Sequence, residues 1–505
     1  MLEERLARLL EEGKIGENVY KNALWWLEHI GDREEMEALL DRDLDEFQDA
    51  FWQTLPFGTG GRRGKMGIGQ NRIGVYTVQQ SAQGIANYLL EVASQEGEDG
   101  GDFRRLAVVA YDTRHGSEDF ARMVAQVFAA NGIRTLLYPS ARSTPQLSFT
   151  VRHLGADVGV MISASHNPPT DNGLKVYWRD GGQVLPPHDE GIIRCVELVE
   201  EVRSISFQEG LEGGGIGYIG EEVDRAYWEV VLESGVYSGE REVRVVYSPL
   251  HGVGKTSVYE VLKRAGFRDI FLVSSQEFPD GDFPNVKDHL PNPELPGAME
   301  EALRLAEERG ADLALVSDPD ADRIGVGVST SEGWKLLSGN QIATLIFYHL
   351  VEVARGLGVE LSASWLMKTL VTTELLERIA RRFRVRVRGD LPVGFKYIAH
   401  WIEGLREGER FLFGAEESYG FLLSSRVRDK DAAMAGLALA QIASRLKKES
   451  KDIWQNLKEI YKEFGYFCNL NHSFVLPGAR GRERMGALMG GLRSHRLERL
   501  GGLGV

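Results

Sequence analysis

Residues 310–328 read GADLALVSDPDADRIGVGV, and this stretch decides the fold. Two apolar runs flank a polar loop, which is the pattern of two buried strands joined by a loop carrying chemistry. The pattern occurs twice more, in residues 155–178 (GADVGVMISASHNPPTDNGLKVYW) and residues 410–423 (RFLFGAEESYGFLL). Upstream of each copy lies a strand–helix–strand segment, at Arg105–Tyr138, Val243–Val273 and Ser364–Val387. In each segment an apolar run leads into a helix with apolar residues at i, i+3 and i+4, then into a second run. Its two strands are therefore expected to be parallel neighbours. A long unit repeated only a few times predicts tandem α/β domains and not a solenoid. Gly-rich stretches at Glu212–Gly215 and Ser329–Gly333 are expected to mark the joins, giving domains at 1–210, 211–330 and 331–465. Amphipathic helices (RLARLLEE, NALWWLEHI, EEMEALLDR) are expected to fill the first 50 residues and wrap the first domain.

Composition narrows the function classes. The chain has 505 residues, 43% of them apolar, as in a globular enzyme. A net charge of −15 opposes a nucleic-acid partner. Cys195 and Cys468 give no disulfide framework and suit a reducing cytoplasm. No apolar run is long enough for a membrane span, and the N-terminus reads as an acidic helix, not a signal.

The three repeated loops carry unlike chemistry. Ser163–Pro169 (SASHNPP) offers a hydroxyl in a turn-favouring setting. Asp318, Asp320 and Asp322 alternate along the chain and Arg323 follows directly. Carboxylates this close repel one another unless a cation sits among them, and oxygen ligands point to Mg²⁺ or Ca²⁺. An EF-hand would need Gly sixth and Glu twelfth, where this chain has Arg323 and Ser329. In the third loop, Glu416, Glu417 and Ser418 suit hydrogen bonds to a polyol. Phe57–Lys65 (FGTGGRRGK) is Gly-rich and basic, able to hold an anion although without Walker spacing. Asp171–Lys175 reads as a turn that could return Lys175 towards Ser165 or leave it solvated. Asp429–Asp431 (DKD) reads as a salt-bridged surface run, and Asp112 and Arg114 as stabilisers of the first domain.

Together these loops, in this order, resemble the α-D-phosphohexomutases, the phosphoglucomutase and phosphomannomutase family, over roughly residues 40 to 470. The N-terminal loop is nearest the phosphoglucomutase and phosphopentomutase branch. The resemblance implies an α/β protein of three tandem similar domains, each a mixed sheet between helices, around a central cleft. It implies phosphoryl transfer between the C1 and C6 oxygens of a hexose phosphate through a phosphoserine, with Mg²⁺ and a bisphosphorylated sugar such as glucose 1,6-bisphosphate. Ser165 would be the phosphoserine, with His166 beside it. Asp318, Asp320 and Asp322 would hold Mg²⁺ together with a Ser165 phosphate oxygen. Arg323 would neutralise the transferring group, and Arg63 and Lys175 would sit near the phosphoserine. Lys175 or Lys430 would be general acid/base. Glu416 and Ser418 would bind sugar hydroxyls, and Gly394 and Lys396 lie in a loop (GDLPVGFK) resembling the one that senses sugar orientation. Tyr419 stands where several members carry Gly. Partners would be sugar phosphates, with no nucleic acid or membrane.

Family members carry a fourth domain with a phosphate-gripping Arg-Pro-Ser-Gly-Thr-Glu-Pro loop, and this chain has no such motif. The expectation is a partial fourth domain at 466–505, with Asn469–Leu476 as its first strand and little strand pattern in Arg493–Val505, and correspondingly weak substrate affinity. Glucose, mannose and pentose phosphates fit the motifs alike. A bisphosphate-forming phosphotransferase, a slow phosphatase and a non-catalytic sugar-phosphate binder stand as alternatives.

Overall fold

The computed structural model describes residues 1–58, 60–97, 105–239, 241–470, 476, 478–494, 499–500 and 503–504. It divides into two compact units, one comprising Met1–Pro56, Gly67–Tyr76 and Cys468–Val505, the other Phe57–Met66 and Thr77–Phe467. No helix among the described residues is long and apolar enough to cross a membrane.

The first unit begins with helices at Leu2–Glu11, Glu17–His29, Arg33–Arg42 and Leu44–Phe51, one more than the sequence pattern suggests. Asp43 separates the last two, and its side chain accepts from the Glu46 N–H, a cap that starts a new helix. Leu6, Val19, Trp26, Met36, Phe47 and Phe51 form the core of this unit. Arg72 ties the fourth helix to the 67–76 segment through Glu46 at 2.6 Å and Asp49 at 2.8 Å. A helix at Gly478–Ser494 follows, and Arg499–Leu500 pairs antiparallel with Leu503–Gly504, so the last stretch does carry a short pair of strands. Most of the strand expected at Asn469–Leu476 lies outside the described residues.

Among its described residues the second unit holds three sheets. In the first are β1 (Gly61–Lys65), β2 (Arg105–Tyr111), β3 (Ile133–Leu137), β4 (Val158–Ile162), β5 (Asp171–Trp178) and β6 (Ile216–Tyr218), in the order β1-β5-β4-β2-β3-β6. The second has β7 (Val245–Ser248), β8 (Ile270–Leu272), β9 (Leu313–Ser317), β10 (Ile324–Thr330) and β11 (Gly333–Leu337), in the order β11-β10-β9-β7-β8. The third has β12 (Ser364–Thr369), β13 (Arg386–Leu391), β14 (Arg410–Glu416) and β15 (Gly420–Leu422), in the order β13-β12-β14-β15.

One four-strand core recurs, as β5-β4-β2-β3, β10-β9-β7-β8 and β15-β14-β12-β13. Each strand–helix–strand segment gives a parallel pair, β2 with β3, β7 with β8 and β12 with β13. Each strand–loop–strand segment gives an antiparallel pair, β4 with β5, β9 with β10 and β14 with β15. The three chemically distinct loops thus occupy the same step of the same topology.

The Gly-rich stretches adjoin sheet strands. Residues 213–215 precede β6, which lies beyond 210 and pairs with β3. Thr330–Gly333 is the turn of the β10–β11 hairpin, with Gly333 at φ +98°, a conformation that glycine adopts freely. The expected turn at Asp171–Lys175 is instead the start of β5, and Gly61–Lys65 pairs with it as β1, Gly61 opposite Lys175. Glycine permits that approach: a Cβ on Gly61 would lie 1.8 Å from the Leu174 carbonyl oxygen, and one on Gly173 2.7 Å from that of Ser163. The helix Ala432–Lys448 is almost wholly buried, and Asp431 caps it by accepting from the Ala433 and Met434 N–H groups.

Candidate active site at three hairpin loops

The β4–β5 loop holds Ser165 in a strained backbone, φ +52°, in the left-handed region that non-glycine residues enter at a cost of about 1 kcal/mol or more. Neighbouring groups fix it there. The Ser163 Oγ accepts the Ser165 N–H at 2.8 Å. Arg114, only 3% exposed, donates to the carbonyl oxygens of Ser165 and Asn167 (both 2.5 Å), Pro168 (2.7 Å) and Asp171 (3.0 Å). The Asp112 carboxylate pairs with that guanidinium at 3.4 Å. Asp112 and Arg114 are therefore stabilisers, as their types suggest, and what they stabilise is the serine loop. The Ser165 Oγ donates to Asp318 Oδ2 at 2.7 Å and lies 3.3 Å from His166 Nδ1. Burial, then the positive charges of Arg323 and Arg63, push His166 down to about 2, so its imidazole is neutral.

Asp318, Asp320 and Asp322 lie on the β9–β10 loop, all at most 1% exposed, with one oxygen from each within 4.8 Å of the others. Asp318 Oδ1 accepts the Asp322 and Arg323 N–H groups at 3.1 and 3.0 Å, which curls the loop around it. Burial, then its two acidic neighbours, raise the Asp318 pKa well above the carboxylate range. Burial also opposes the charge on Asp320, but Lys175 at 2.7 Å and the Thr144 hydroxyl at 2.6 Å prevail and hold it ionised. Oδ1 of Asp320 and Oδ1 of Asp322 are buried with no hydrogen-bond partner among the described residues. Three hard oxygen donors, two with an orphaned atom, fit a divalent cation. Arg323 is anchored by Glu294 at 2.6 Å and lies 3.8 Å from Asp322.

The third loop closes against the second, with the Ile324 N–H donating to the Tyr419 carbonyl at 3.2 Å. Tyr419 has φ +65°, the conformation that makes glycine natural at this position. Glu416, 4% exposed, accepts the Gly394 N–H at 3.1 Å. Burial raises its pKa to about 7, against the pull of Lys430 and Arg323. Ser418 is half-buried in the turn beside it.

Lys430 is not part of a surface run, because Asp429 and Asp431 are 6% and 0% exposed. Its Nζ reaches Asp322 at 2.8 Å and Asp429 at 3.4 Å. Burial alone would lower its pKa; Asp322, Asp429 and Glu416 outweigh that and keep it an ammonium. Lys175 pairs with Asp320 from within β5, its side chain 11% exposed. Arg63, Lys175, Gly394 and Lys396 line one cleft of about 240 Å³, where Arg63 also meets Asn167 at 3.5 Å. Thr59 lies outside the described residues.

The candidate residues thus fall on or beside these loops except Lys396, which is placed only on the cleft it shares with Arg63, Lys175 and Gly394. Thr144, Glu294 and Tyr177 join them without any motif to announce them. Thr144 and Glu294 sit next to prolines and read as helix-start and turn residues, and Tyr177 reads as an ordinary strand aromatic.

Comparison with known proteins agrees with this layout. The chain matches the phosphoglucomutase/phosphomannomutase alpha/beta/alpha domain I at residues 54–203, domain II at 225–332 and domain III at 338–464. A phosphoglucomutase from Staphylococcus epidermidis is 32% identical over 487 residues, 95% of this chain and 86% of the relative. One from Staphylococcus haemolyticus is 34% identical over 473 residues, 93% and 83%. Among solved structures, a phosphoglucomutase/phosphomannomutase family protein from Burkholderia thailandensis shares the fold, with a TM-score of 0.61 at 20% identity over 81% of this chain and 80% of that one.

Proposed function

The chain belongs to the phosphoglucomutase/phosphomannomutase family, an isomerase class that moves phosphoryl groups within sugar phosphates, and from that premise we propose that it interconverts glucose 1-phosphate and glucose 6-phosphate through Ser165. The observation that carries the assignment of residues is the Ser165 hydroxyl bonded to Asp318 at 2.7 Å, inside a buried three-carboxylate group. The relatives named phosphoglucomutase support glucose as the sugar. The phosphoserine, cation and sugar loops belong to successive domains, with joins between 203 and 225 and between 332 and 338.

Ser165 carries the phosphoryl group. A sugar hydroxyl oxygen attacks phosphorus, the Oγ–P bond breaks as the new O–P bond forms, and one proton moves in net from the attacking hydroxyl to Oγ, Lys430 giving one to the leaving oxygen and regaining one from the hydroxyl. The resulting bisphosphate, glucose 1,6-bisphosphate, turns over within the site and returns its other phosphoryl group to Oγ. Asp318, Asp320 and Asp322 would hold Mg²⁺, which supplies charge neutralisation at the phosphoryl oxygens. Arg323, fixed by Glu294, adds a second positive group there. Lys430, present as an ammonium, donates a proton to the leaving oxygen. Lys175 and Arg63 flank the serine and gather phosphate charge. Glu416 and Ser418 accept from sugar hydroxyls, and Gly394 and Lys396 line the cleft with Arg63 and Lys175. His166, neutral, orients the Ser165 hydroxyl. Burial of Ser165 excludes water, which would otherwise take the phosphoryl group.

The experiment is ³¹P NMR of the protein with glucose 1-phosphate, Mg²⁺ and a trace of glucose 1,6-bisphosphate. Growth of the glucose 6-phosphate signal is expected, with a loss of at least about 10³-fold in Ser165→Ala. Release of inorganic phosphate in its place, or unchanged turnover by Ser165→Ala, would overturn the proposal.

A further inference from the structure

Strand β5 sends two side chains from one face into the site, since Lys175 and Tyr177 are two residues apart. Lys175 meets Asp320 on the cation loop. Tyr177, fully buried, donates its hydroxyl to Asp429 Oδ2 at 2.7 Å. The other oxygen of Asp429 accepts the Lys430 backbone N–H at 2.8 Å and faces its Nζ at 3.4 Å. That Nζ lies 2.8 Å from Asp322 Oδ2. A continuous chain therefore runs from Tyr177 on the first sheet, through Asp429 and Lys430 after the third, to Asp322 on the second.

Resting on the reading above that Lys430 moves a proton during transfer, we propose that Tyr177 is a positioning residue that sets the aim of Lys430 by holding Asp429. A lysine stem is flexible, and its ammonium keeps one place only where several acceptors fix it. Asp322 fixes it from the cation side and Asp429 from the other. The closeness of the stem shows at Gly420, where a Cβ would lie 2.4 Å from Lys430 Cδ and 3.3 Å from Glu416 Oε2. Asp429 caps no helix, and among the described residues its carboxylate is oriented by Tyr177 and Lys430. Asp431 differs. Tyr227 donates to its Oδ2 at 2.8 Å, but Oδ1 takes the Ala433 and Met434 N–H groups, so that tyrosine secures a helix start and no lysine.

The two tyrosines form a matched pair for the test. Each Tyr→Phe change deletes one buried hydroxyl bonded to an aspartate, so thermal unfolding of the two variants should shift alike. In steady-state assays with glucose 1-phosphate, Tyr177→Phe should lower kcat about 10- to 100-fold with KM within about twofold, the cost of a misplaced reacting group. Tyr227→Phe should leave kcat within about twofold. In a Lys430→Ala background, adding Tyr177→Phe should cost nothing further, because coupled residues do not add. Undiminished kcat in Tyr177→Phe while Lys430→Ala is impaired would overturn this inference and leave Lys430 in place. Equal losses in the two Phe variants, or additive losses in the double variant, would also overturn it. Full activity in Lys430→Ala would remove the role of Lys430 itself, and the inference with it.

Discussion

Glu416 shows how a single side chain can be loaded against its own charge. It is 4% exposed, and burial lifts its pKa to about 7, with Lys430 and Arg323 pulling the other way. Glu416→Gln keeps an acceptor for the Gly394 N–H and ends the cost of burying a carboxylate. The expected outcome is a KM for glucose 1-phosphate about 10- to 100-fold higher, the loss of a charged hydrogen bond worth about 1.5–3 kcal/mol, with thermal stability unchanged or improved. Initial rates and an unfolding curve check both halves, and an unaltered KM would count against the sugar-binding role. The three aspartates stood out because they alternate within one loop, and Ser165 because of the Ser-His-Asn-Pro-Pro stretch around it, although its bond to Asp318 spans 153 residues. Thr144 did not, since its bond to Asp320 spans 176 residues and a threonine before proline reads as a helix start. Asp429 and Asp431 misled for a related reason: a charge run is ordinarily solvated, and only the tyrosines that bury it say otherwise.

At the scale of elements, periodicity foretold the parallel strand–helix–strand units, because apolar spacing records which face is buried. It failed for β1 and the start of β5, whose glycines and charges look like turns and pair only because their backbones can close together. Helix packing adds a titratable element. His349, on the helix Gly339–Gly356, lies 3.0 Å from Asn456 on the helix Ile453–Phe464 and 2.8 Å from the Tyr237 hydroxyl. Burial, only partly offset by Asn456, pushes it down to about 4. The unfolded chain, with an ordinary histidine pKa of about 6.5, therefore takes up this proton first, and folding stability falls as pH drops from about 6.5 to about 4, by at most about 3 kcal/mol. Urea unfolding across that range should show the decline, and His349→Gln should flatten it by that amount. Identical slopes in the two proteins would refute the assignment.

For the molecule as a whole, the buried carboxylates Asp318, Asp320 and Asp322 are a liability that a bound cation would relieve. After chelation, added Mg²⁺ should raise the unfolding temperature, the gain reaching about 2.7 kcal/mol near 100 times its Kd. Asp320→Asn should lose most of that rise, measured by thermal unfolding with and without Mg²⁺; an equal rise in both would place the ion elsewhere. The three sheets share one four-strand core, with the serine, aspartate and glutamate loops each set at the same hairpin step. Such a layout is divisible by heredity. On the roles proposed above, a change of sugar would call for edits at the 414–420 turn and the loop bearing Gly394 and Lys396, and none in the serine and aspartate turns. Choice of substrate and chemistry of transfer would then reside on separate pieces of one repeated scaffold.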